Sequence, residues 1–258
     1  MSIYFASKNW VELQRMIKRN ALIIFPIGTI EEHGMHLPVN TDAVIAEEVA
    51  RMVGEKLEKK IPLLVMPAFW SGYSSKEMSR WPGTIRVRTR VVMDTTFDIC
   101  SSLIEMGFKK IIIINGHGHH NGLLQVMARE IADRYGIYMA ITDPAIMAKE
   151  EMQKIRKSKI GGAIHGGEYE TSLMLYLKQP VNMKQATGQD IMRYHSKYYA
   201  GDNFTGGNKV FWSTWGIQKS KTGIYGDPTV ATASTGKRLM EATVKKYAEF
   251  IIEFYKKG

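Results

Sequence analysis

The sequence contains a single cysteine, Cys100, among its 258 residues. One cysteine excludes a disulfide within the chain and any zinc finger built on cysteine ligands. Because Cys100 lies beside Ile99 and Leu103 in an apolar segment, we expect a small core residue and not a nucleophile. Long apolar runs are also missing, since none approaches the length of about eighteen residues that a transmembrane helix needs. Residues 1–20 lack the basic-then-apolar order of a signal peptide, and we expect a cytoplasmic protein.

Acidic residues are fewer than basic ones, with 25 Asp and Glu against 35 Lys and Arg and a formal net charge of +10. Such an excess can indicate a nucleic-acid partner. The basic residues are spread over predicted helix ends, however, and the densest cluster, 154–159 (KIRKSK), lacks interleaved aromatic residues. We therefore predict solvated helix faces, with no nucleic-acid and no membrane partner, while a general attraction for small anions stays open.

Short apolar runs alternate with amphipathic helical patterns along most of the chain. Strands are predicted at 21–27, 61–69, 110–114 and 137–142, and a half-exposed edge strand at 85–88. Helices are predicted at 43–59, 91–106, 122–135, 145–157 and 168–178, followed by a long helix that Asp227 and Pro228 begin and that ends near Lys256. The alternation predicts an α/β protein with a parallel, doubly wound sheet in a single domain spanning 1–258.

Residues 181–222 break this alternation. Aromatic residues stand there among glycines and polar residues, and comprise Tyr194, Tyr198, Tyr199, Phe204, Phe211, Trp212 and Trp215. An irregular segment of this length is typical of a lid, a binding loop or an oligomer contact. The sequence leaves these three roles open.

The segment 27–42, IGTIEEHGMHLPVNTD, follows the first predicted strand and has the composition of a metal site. In an open α/β sheet, ligands bind just past the carboxyl ends of the strands. Glu31 and His33 are two residues apart, so their side chains point to one side if the chain is extended there. Asp42 lies at the start of the next predicted helix, where the helix dipole also favours a carboxylate. Carboxylate and imidazole groups together suit divalent metals.

Two later loops add candidate functional side chains, at the turn 115–121 and around the glycine-rich turn 161–167. They contribute His117, His119, His120, His165 and Glu170. Six of the seven histidines fall within the three segments. Since parallel strands bring such loops to one edge of a sheet, we expect these side chains to meet there.

Five motifs occur in order along nearly the whole chain. They are PIGTIEEHGMHLPVNTD (26–42), WPGTI (81–85), NGHGHHN (115–121), HGGEYETS (165–172) and GIYGDPTVATASTG (223–236). Together they resemble the creatininase (creatinine amidohydrolase) family. The resemblance implies a three-layer α/β/α sandwich with a mostly parallel central sheet, and a ring-like homohexamer. It also implies two divalent metal ions per chain, zinc, manganese or iron, that serve the hydrolysis of small cyclic amide or related C–N bonds.

The resemblance implies roles for particular residues as well. Glu31 and His117 would hold one ion, His33 would hold the second, and Asp42 would bridge both. Glu170 would be a further metal ligand or a neighbour of the ligands. These roles are carried over from the matching motif positions.

Two positions depart from creatininase proper. His119 stands where the resemblance places an acidic metal ligand, so His119 either binds metal in its place or shuttles a proton. Ile164 stands where a glutamate would directly precede the histidine that matches His165, which weakens the case for creatinine as the substrate. We assign to His165 the donation of a proton to the leaving group, with a structural hydrogen bond beneath the loop as the alternative.

The chemistry that follows is that of a dinuclear metal hydrolase. Two ions about 3.5–4 Å apart can share a bridging water, lower its pKa toward neutrality and polarise the substrate carbonyl oxygen. A ring-opening hydrolase of a keto-cyclitol in inositol catabolism is the first alternative, and a formamidopyrimidine deformylase and a peptide-maturation enzyme are two more. From another class, a catalytically silent metal- or ligand-binding assembly protein stays open, although the candidate bridge Asp42 is present.

Overall fold

Four parallel strands form the central sheet of the computed structural model, which describes residues 2–205, 209–213 and 216–257. The strands are β1 (Leu22–Ile27), β2 (Leu63–Val65), β3 (Lys110–Asn115) and β4 (Ala140–Thr142). Their order in the sheet is β2-β1-β3-β4, and Ile24 of β1 stands opposite Ile112 of β3. The chain therefore changes its direction of travel across the sheet between β1 and β3, and ligands bind at such a point in open α/β sheets.

Helices cover both faces of this sheet. They are α1 (Trp10–Lys18), α2 (Thr41–Leu57), α3 (Thr89–Met106), α4 (Asn121–Tyr135), α5 (Pro144–Ile155), α6 (Glu168–Tyr176) and α7 (Ala233–Lys257). Because strand side chains alternate between faces, Leu22 and Ile24 of β1 belong to the core formed with α2, α5, α6 and α7, whereas Ile23 and Phe25 pack with α1, α3 and α4. All of β1 is buried, as expected for a sheet covered on both faces. The predicted three-layer α/β/α fold is confirmed, and its four described strands all run parallel.

The predicted edge strand at 85–88 is wrong. The backbone N–H of Ile85 donates to the carbonyl of Ile30 at 3.0 Å, and that of Val87 donates to the carbonyl of Gly72 at 2.9 Å. These bonds reach two separate loops and build no ladder with one neighbour. The segment instead crosses the loops that follow β1 and β2.

Helices α7 and α1 depart most from the prediction. Asp227 accepts a hydrogen bond from the backbone N–H of Thr229 at 3.1 Å and begins only a short 3₁₀ turn, Pro228–Val230, so that α7 starts later. Helix α1 was not predicted, and it begins with a capping box in which Asn9 Oδ1 accepts from the N–H of Glu12 at 3.1 Å. No described helix combines the length and the apolar character required to cross a membrane.

The described residues of 181–222 form one short 3₁₀ turn, Met183–Gln185, and otherwise turns and bends. Trp215, one of the aromatic residues of this segment, lies outside the described residues. Two buried carboxylates anchor the segment. Oδ2 of Asp202 pairs with Nη2 of Arg156 at 2.9 Å, and Oδ2 of Asp190 accepts a hydrogen bond from Thr222 Oγ1 at 2.8 Å. Its role as a lid, binding loop or oligomer contact stays a prediction.

Helix α7 packs closely on α6, the helix that carries Glu170. An added Cβ at Gly236, in the first turn of α7, would lie 1.9 Å from the carbonyl oxygen of Ser172. Ser172 Oγ also accepts a hydrogen bond from the backbone N–H of Thr232 at 3.2 Å. Gly236 therefore sets the distance between the two helices.

Replacing Gly236 by alanine is expected to force α6 and α7 apart and to lower the free energy of unfolding by about 1–3 kcal/mol. Gly122 offers a matched control, because it lies in the first turn of α4, is exposed, and has no atom within 4 Å of an added Cβ. Gly122→Ala should leave stability unchanged or raise it by up to about 1 kcal/mol. Urea unfolding measures both variants, and equal effects would contradict the close packing at Gly236.

Candidate metal centre

The first turn of α2 lies against the carboxyl ends of β1 and β3. An added Cβ at Gly28 would lie 2.4 Å from backbone atoms of Ala43, and one at Gly116 would lie 2.4 Å from the carbonyl oxygen of Asp42. A side chain fits at neither position, so glycine is required where each strand ends. This close approach holds Asp42 between the loop that follows β1 and the loop that follows β3.

The carboxylate of Asp42 joins two histidines. Its Oδ1 atom lies 3.1 Å from Nε2 of His33, and its Oδ2 atom lies 2.7 Å from Nδ1 of His117. All three side chains are buried. A carboxylate that presents its two oxygens to two different imidazoles has the arrangement of a bridging metal ligand.

The remaining ring nitrogens of both histidines meet backbone carbonyls. Nδ1 of His33 lies 2.9 Å from the carbonyl oxygen of Glu31, and Nε2 of His117 lies 2.9 Å from that of Tyr73. Since a carbonyl oxygen only accepts, these nitrogens carry the hydrogen. In the neutral rings, the nitrogens that face Asp42 are then the ones with the lone pair, which is the tautomer that metal ligation requires.

Two glutamates complete the ring of donors. Oε2 of Glu31 lies 3.3 Å from Nδ1 of His117, and Oε2 of Glu170 lies 3.8 Å from Nε2 of His33. The N–H of Gly166 donates to Oε2 of Glu170 at 2.7 Å. Among the described residues, the buried Oε1 atom of Glu31 has no hydrogen-bond partner. A buried carboxylate oxygen of this kind is costly unless a cation meets it, so the site fits a metal ion.

The candidate ligands form three overlapping sets, and within each set the ligand atoms lie within 4.8 Å of one another. The sets are Glu31, His117 and His119; His33, Asp42 and Glu170; and Glu31, His33 and His165. The first two share no residue, and each contains a histidine that contacts Asp42. Nitrogen and carboxylate donors in this mixture suit zinc, manganese or iron. Seven of the eight side chains named from the sequence thus occur in these sets, whereas His120 belongs to none of them, and the roles of the seven stay predictions.

The charges within this cluster compensate one another. Burial by itself lowers the pKa of His33, but the neighbouring carboxylates, Asp42 first, raise it well above the usual value. Burial also lowers the pKa of His117, but the charges of Glu31 and Asp42 outweigh this effect and raise it to about 9. Burial raises the pKa of Asp42, yet the two histidines lower it far below its usual range. Without metal, protons on the imidazoles balance the carboxylates, and metal ions would replace those protons.

His119 lies at the edge of the cluster. Its ring stands edge-on to that of His117, with ring centroids 5.1 Å apart, and the Tyr73 ring is 6.1 Å away. Burial, followed by the charges of His117 and His165, lowers the pKa of His119 to about 3. His119 is therefore a neutral imidazole with a lone pair.

His165 lies next to His33, with ring centroids 4.2 Å apart and the planes inclined by 32°. Its Nε2 atom is 3.7 Å from Oε1 of Glu32, a buried carboxylate whose Oε2 accepts a hydrogen bond from the N–H of Gly34 at 2.8 Å. Gly223 leaves space for this carboxylate, because an added Cβ would lie 2.1 Å from Glu32 Oε2. His165 thus faces an acidic side chain that belongs to none of the three ligand sets.

Glu32 and Tyr73 contribute to the site although the sequence analysis did not select them. Glu32 stands beside Glu31 in the same motif, so its position in that motif is an available signal. Tyr73 contributes its backbone carbonyl to His117, which is 44 positions away in the sequence. A backbone contact of this kind has no residue-type signature, and periodicity and motif spacing cannot reveal it.

Comparison with known proteins finds one family. The family model described as "Creatininase: Creatinine amidohydrolase" matches residues 6–251. The creatinine amidohydrolase of Pseudomonas putida is 28% identical over 192 residues, which cover 68% of this chain and 72% of that protein. A mycofactocin precursor peptide peptidase of Mycobacterium tuberculosis is 30% identical over 236 residues, 86% of this chain and 81% of that protein. The 3-dehydro-scyllo-inosose hydrolase of Thermotoga maritima is 25% identical over 169 residues, 66% of this chain and 51% of that protein.

Solved structures agree with the fold. A structure named "Creatininase Mn" is similar with a TM-score of 0.79 at 22% identity, over 98% of each chain. The family match begins before β1 and ends within α7, so it includes the sheet and every loop that carries a candidate ligand. The family predicted from the five motifs is therefore confirmed, and the chain belongs to the creatininase family of hydrolases.

Proposed function

We propose that this protein is a dinuclear divalent-metal hydrolase that cleaves a C–N bond of a small cyclic amide or a related substrate. The observation that carries the proposal is the Asp42 carboxylate, whose two oxygens lie 3.1 Å from His33 Nε2 and 2.7 Å from His117 Nδ1. Membership of a family of hydrolases supports the reaction type.

The donors divide into two metal positions. Glu31, His117 and His119 would hold one ion, His33 and Glu170 would hold the other, and Asp42 would be shared. Two divalent ions bound there would polarise a substrate carbonyl group and lower the pKa of a water molecule toward neutrality. We assign His119 to ligation because its ring nitrogen belongs to the set of Glu31 and His117, and the proton-shuttle role becomes the alternative.

The proton donor is His165 in this proposal. Its ring packs on the ring of His33, which brings it beside any substrate held at the ion that His33 binds. Oε1 of Glu32, 3.7 Å from Nε2 of His165, favours the protonated imidazole. The competing role, ligation, rests on the set that His165 forms with Glu31 and His33.

A C–N bond is the preferred target because two relatives are named as an amidohydrolase and a peptide peptidase. The residue before His165 is Ile164, which has no acid–base group and packs against the apolar cluster of Met78, Met192 and Tyr225. This observation argues against creatinine itself. A keto-cyclitol remains the second candidate, supported by the inosose hydrolase relative. The silent assembly protein is disfavoured because every predicted ligand is present and converges.

We further propose a small-molecule substrate, a homo-oligomer with the hexamer as the expected form, and a substrate-closing or subunit-contacting role for 181–222. The chain just after this segment reaches the site, since the ring centroid of Tyr225 is 6.5 Å from that of His165. The OH of Tyr225 donates to Oε1 of Glu77 at 3.1 Å. A cytoplasmic location and the lack of a nucleic-acid partner stay predictions.

A substrate panel on metal-replete protein tests the function. The panel contains creatinine, short peptides, formamidopyrimidines and keto-inositols. We expect hydrolysis of at least one C–N substrate, its loss after treatment with a chelator, and its recovery when manganese or zinc is added back. Ring opening of a keto-inositol alone would favour the second candidate, and full activity in metal-free protein would contradict a metal-dependent mechanism.

Asp42→Asn is expected to release both ions, because it removes the charge that the two metal positions share. Metal analysis of the purified variant should fall from two ions per chain to none, and the rate should fall by at least about a hundredfold. Asp133→Asn provides the same chemical change at an exposed position of α4 and should alter neither quantity. An Asp42→Asn variant with two bound ions would rule out the bridge.

His165→Ala is expected to lower kcat by about 10²–10⁴-fold while two ions per chain stay bound, since a lost proton donor slows the reaction without removing a ligand. Metal analysis and steady-state kinetics on the same preparation separate the two roles. If the variant loses an ion instead, His165 is a ligand, as its set with Glu31 and His33 would allow.

A further inference from the structure

Tyr73 is held by two histidines of the loop after β3 through both of its backbone polar groups. Its carbonyl oxygen lies 2.9 Å from Nε2 of His117, and its N–H donates to Nε2 of His120 at 3.0 Å. The two histidine rings meet edge to face, with centroids 4.7 Å apart. The loop after β3 thus binds both backbone polar groups of Tyr73, in the segment that follows β2.

The side chain of His120 is closely packed. The side chain is fully buried, and an added Cβ at Gly72 would lie 2.6 Å from its Nε2 atom and 2.7 Å from Cβ of Thr29. Its ring therefore packs directly on the backbone of Gly72. Because Nε2 accepts the hydrogen bond from Tyr73, the hydrogen of this imidazole must sit on Nδ1. His120 offers a fixed acceptor and belongs to none of the three ligand sets.

The contact with Tyr73 orients the ring of His117, whereas other bonds hold its backbone. Asn115 already fixes the backbone, since its Nδ2 donates to the carbonyl of His117 at 2.8 Å and its Oδ1 accepts from the N–H at 3.2 Å. These backbone bonds do not set the rotation of the imidazole about its Cβ. Among the described residues, the polar contact that orients the ring, apart from those with the carboxylates of the site, is the one from Nε2 to the carbonyl of Tyr73.

We infer that His120 is a positioning residue for the metal centre: by holding the N–H of Tyr73 it fixes the carbonyl that accepts from His117 Nε2, and so keeps His117 Nδ1 directed at Asp42 and Glu31. The inference rests on the proposed metal site and adds a residue to it. Its physical basis is that the partner of a ligand's second nitrogen sets both the tautomer and the ring orientation.

Neighbouring contacts do not replace His120. Arg86 Nε donates to the carbonyl of Ser74 at 3.0 Å, and the N–H of Val87 donates to the carbonyl of Gly72 at 2.9 Å. These bonds hold the residues on either side of Tyr73, whereas His120 holds the N–H of Tyr73 itself. Removing the exposed Arg86 side chain is therefore a fitting control.

Three variants test the inference by zinc affinity, measured in competition with a chelating dye. His120→Leu removes the acceptor and is expected to weaken zinc binding by about 10–100-fold. His120→Gln places an amide oxygen near the position of Nε2 and should restore affinity to within about threefold of wild type. Arg86→Met should bind zinc like the wild type. Wild-type affinity in His120→Leu, or equal losses in the Leu and Gln variants, would overturn the inference.

Nitrogen NMR of the zinc-loaded wild type identifies the coordinating nitrogen of His117. This measurement does not depend on whether a variant folds. We expect His117 to coordinate through Nδ1 with hydrogen retained on Nε2, and coordination through Nε2 would overturn the inference. Hydrolysis is not needed for either measurement. A wild type that binds two zinc ions and hydrolyses no substrate would sink the proposed function alone. Hydrolysis by a His120→Leu variant with unchanged affinity would sink the inference alone.

Discussion

The contact between the start of α2 and the ends of β1 and β3 is the constraint on which the rest of the site depends. Gly28 and Gly116 permit it, because a side chain at either position would enter the backbone of that first helical turn. The positive end of the α2 dipole then lies at the carboxylate of Asp42 and stabilises its charge. Because Asp42 contacts His33 and His117 simultaneously, a shift of the helix would disturb both contacts and not one.

The second consequence is electrostatic. Three carboxylates in a buried cluster would be unstable without compensating positive charge. Burial indeed raises the pKa of Glu170, despite the opposing charges of His33 and His165, whereas the histidines keep Asp42 ionised. Backbone carbonyls of Glu31 and Tyr73 meanwhile orient His33 and His117. A metal ion bound here would take the place of the protons on the ring nitrogens that face Asp42.

Sequence reasoning predicted the residues of the site better than the contacts that orient them. The apolar runs at β1 and β3 identify the central strands, and their ends locate Asp42 and His117, because strand ends are a topological property of this fold class. The alternation of apolar and basic residues at 85–88 led to a wrong strand prediction. Such alternation indicates a half-exposed segment and carries no information on whether a neighbouring strand exists to pair with it. The hydrogen bond from Tyr73 to His120 could not be predicted from the sequence either, because it joins two loops that are 47 positions apart.

The candidate metal ligands and the loops beside His165 lie in different parts of the structure. The candidate metal ligands lie in the loops after the strands and in the first turns of α2 and α6, which pack on the core. The neighbourhood of His165 lies instead outside the strands and α-helices. Tyr225, beside His165, donates to Glu77, and Arg80 Nη1 donates to the carbonyl of Ser220 at 3.1 Å. These loops connect to 181–222, whose described residues form no strand and no α-helix. Relatives named for creatinine, a precursor peptide and an inosose can differ there while keeping one fold. Substrate choice should therefore follow the loops around Tyr225 and His165, because changing them leaves the glycine-dependent contact at Asp42 intact.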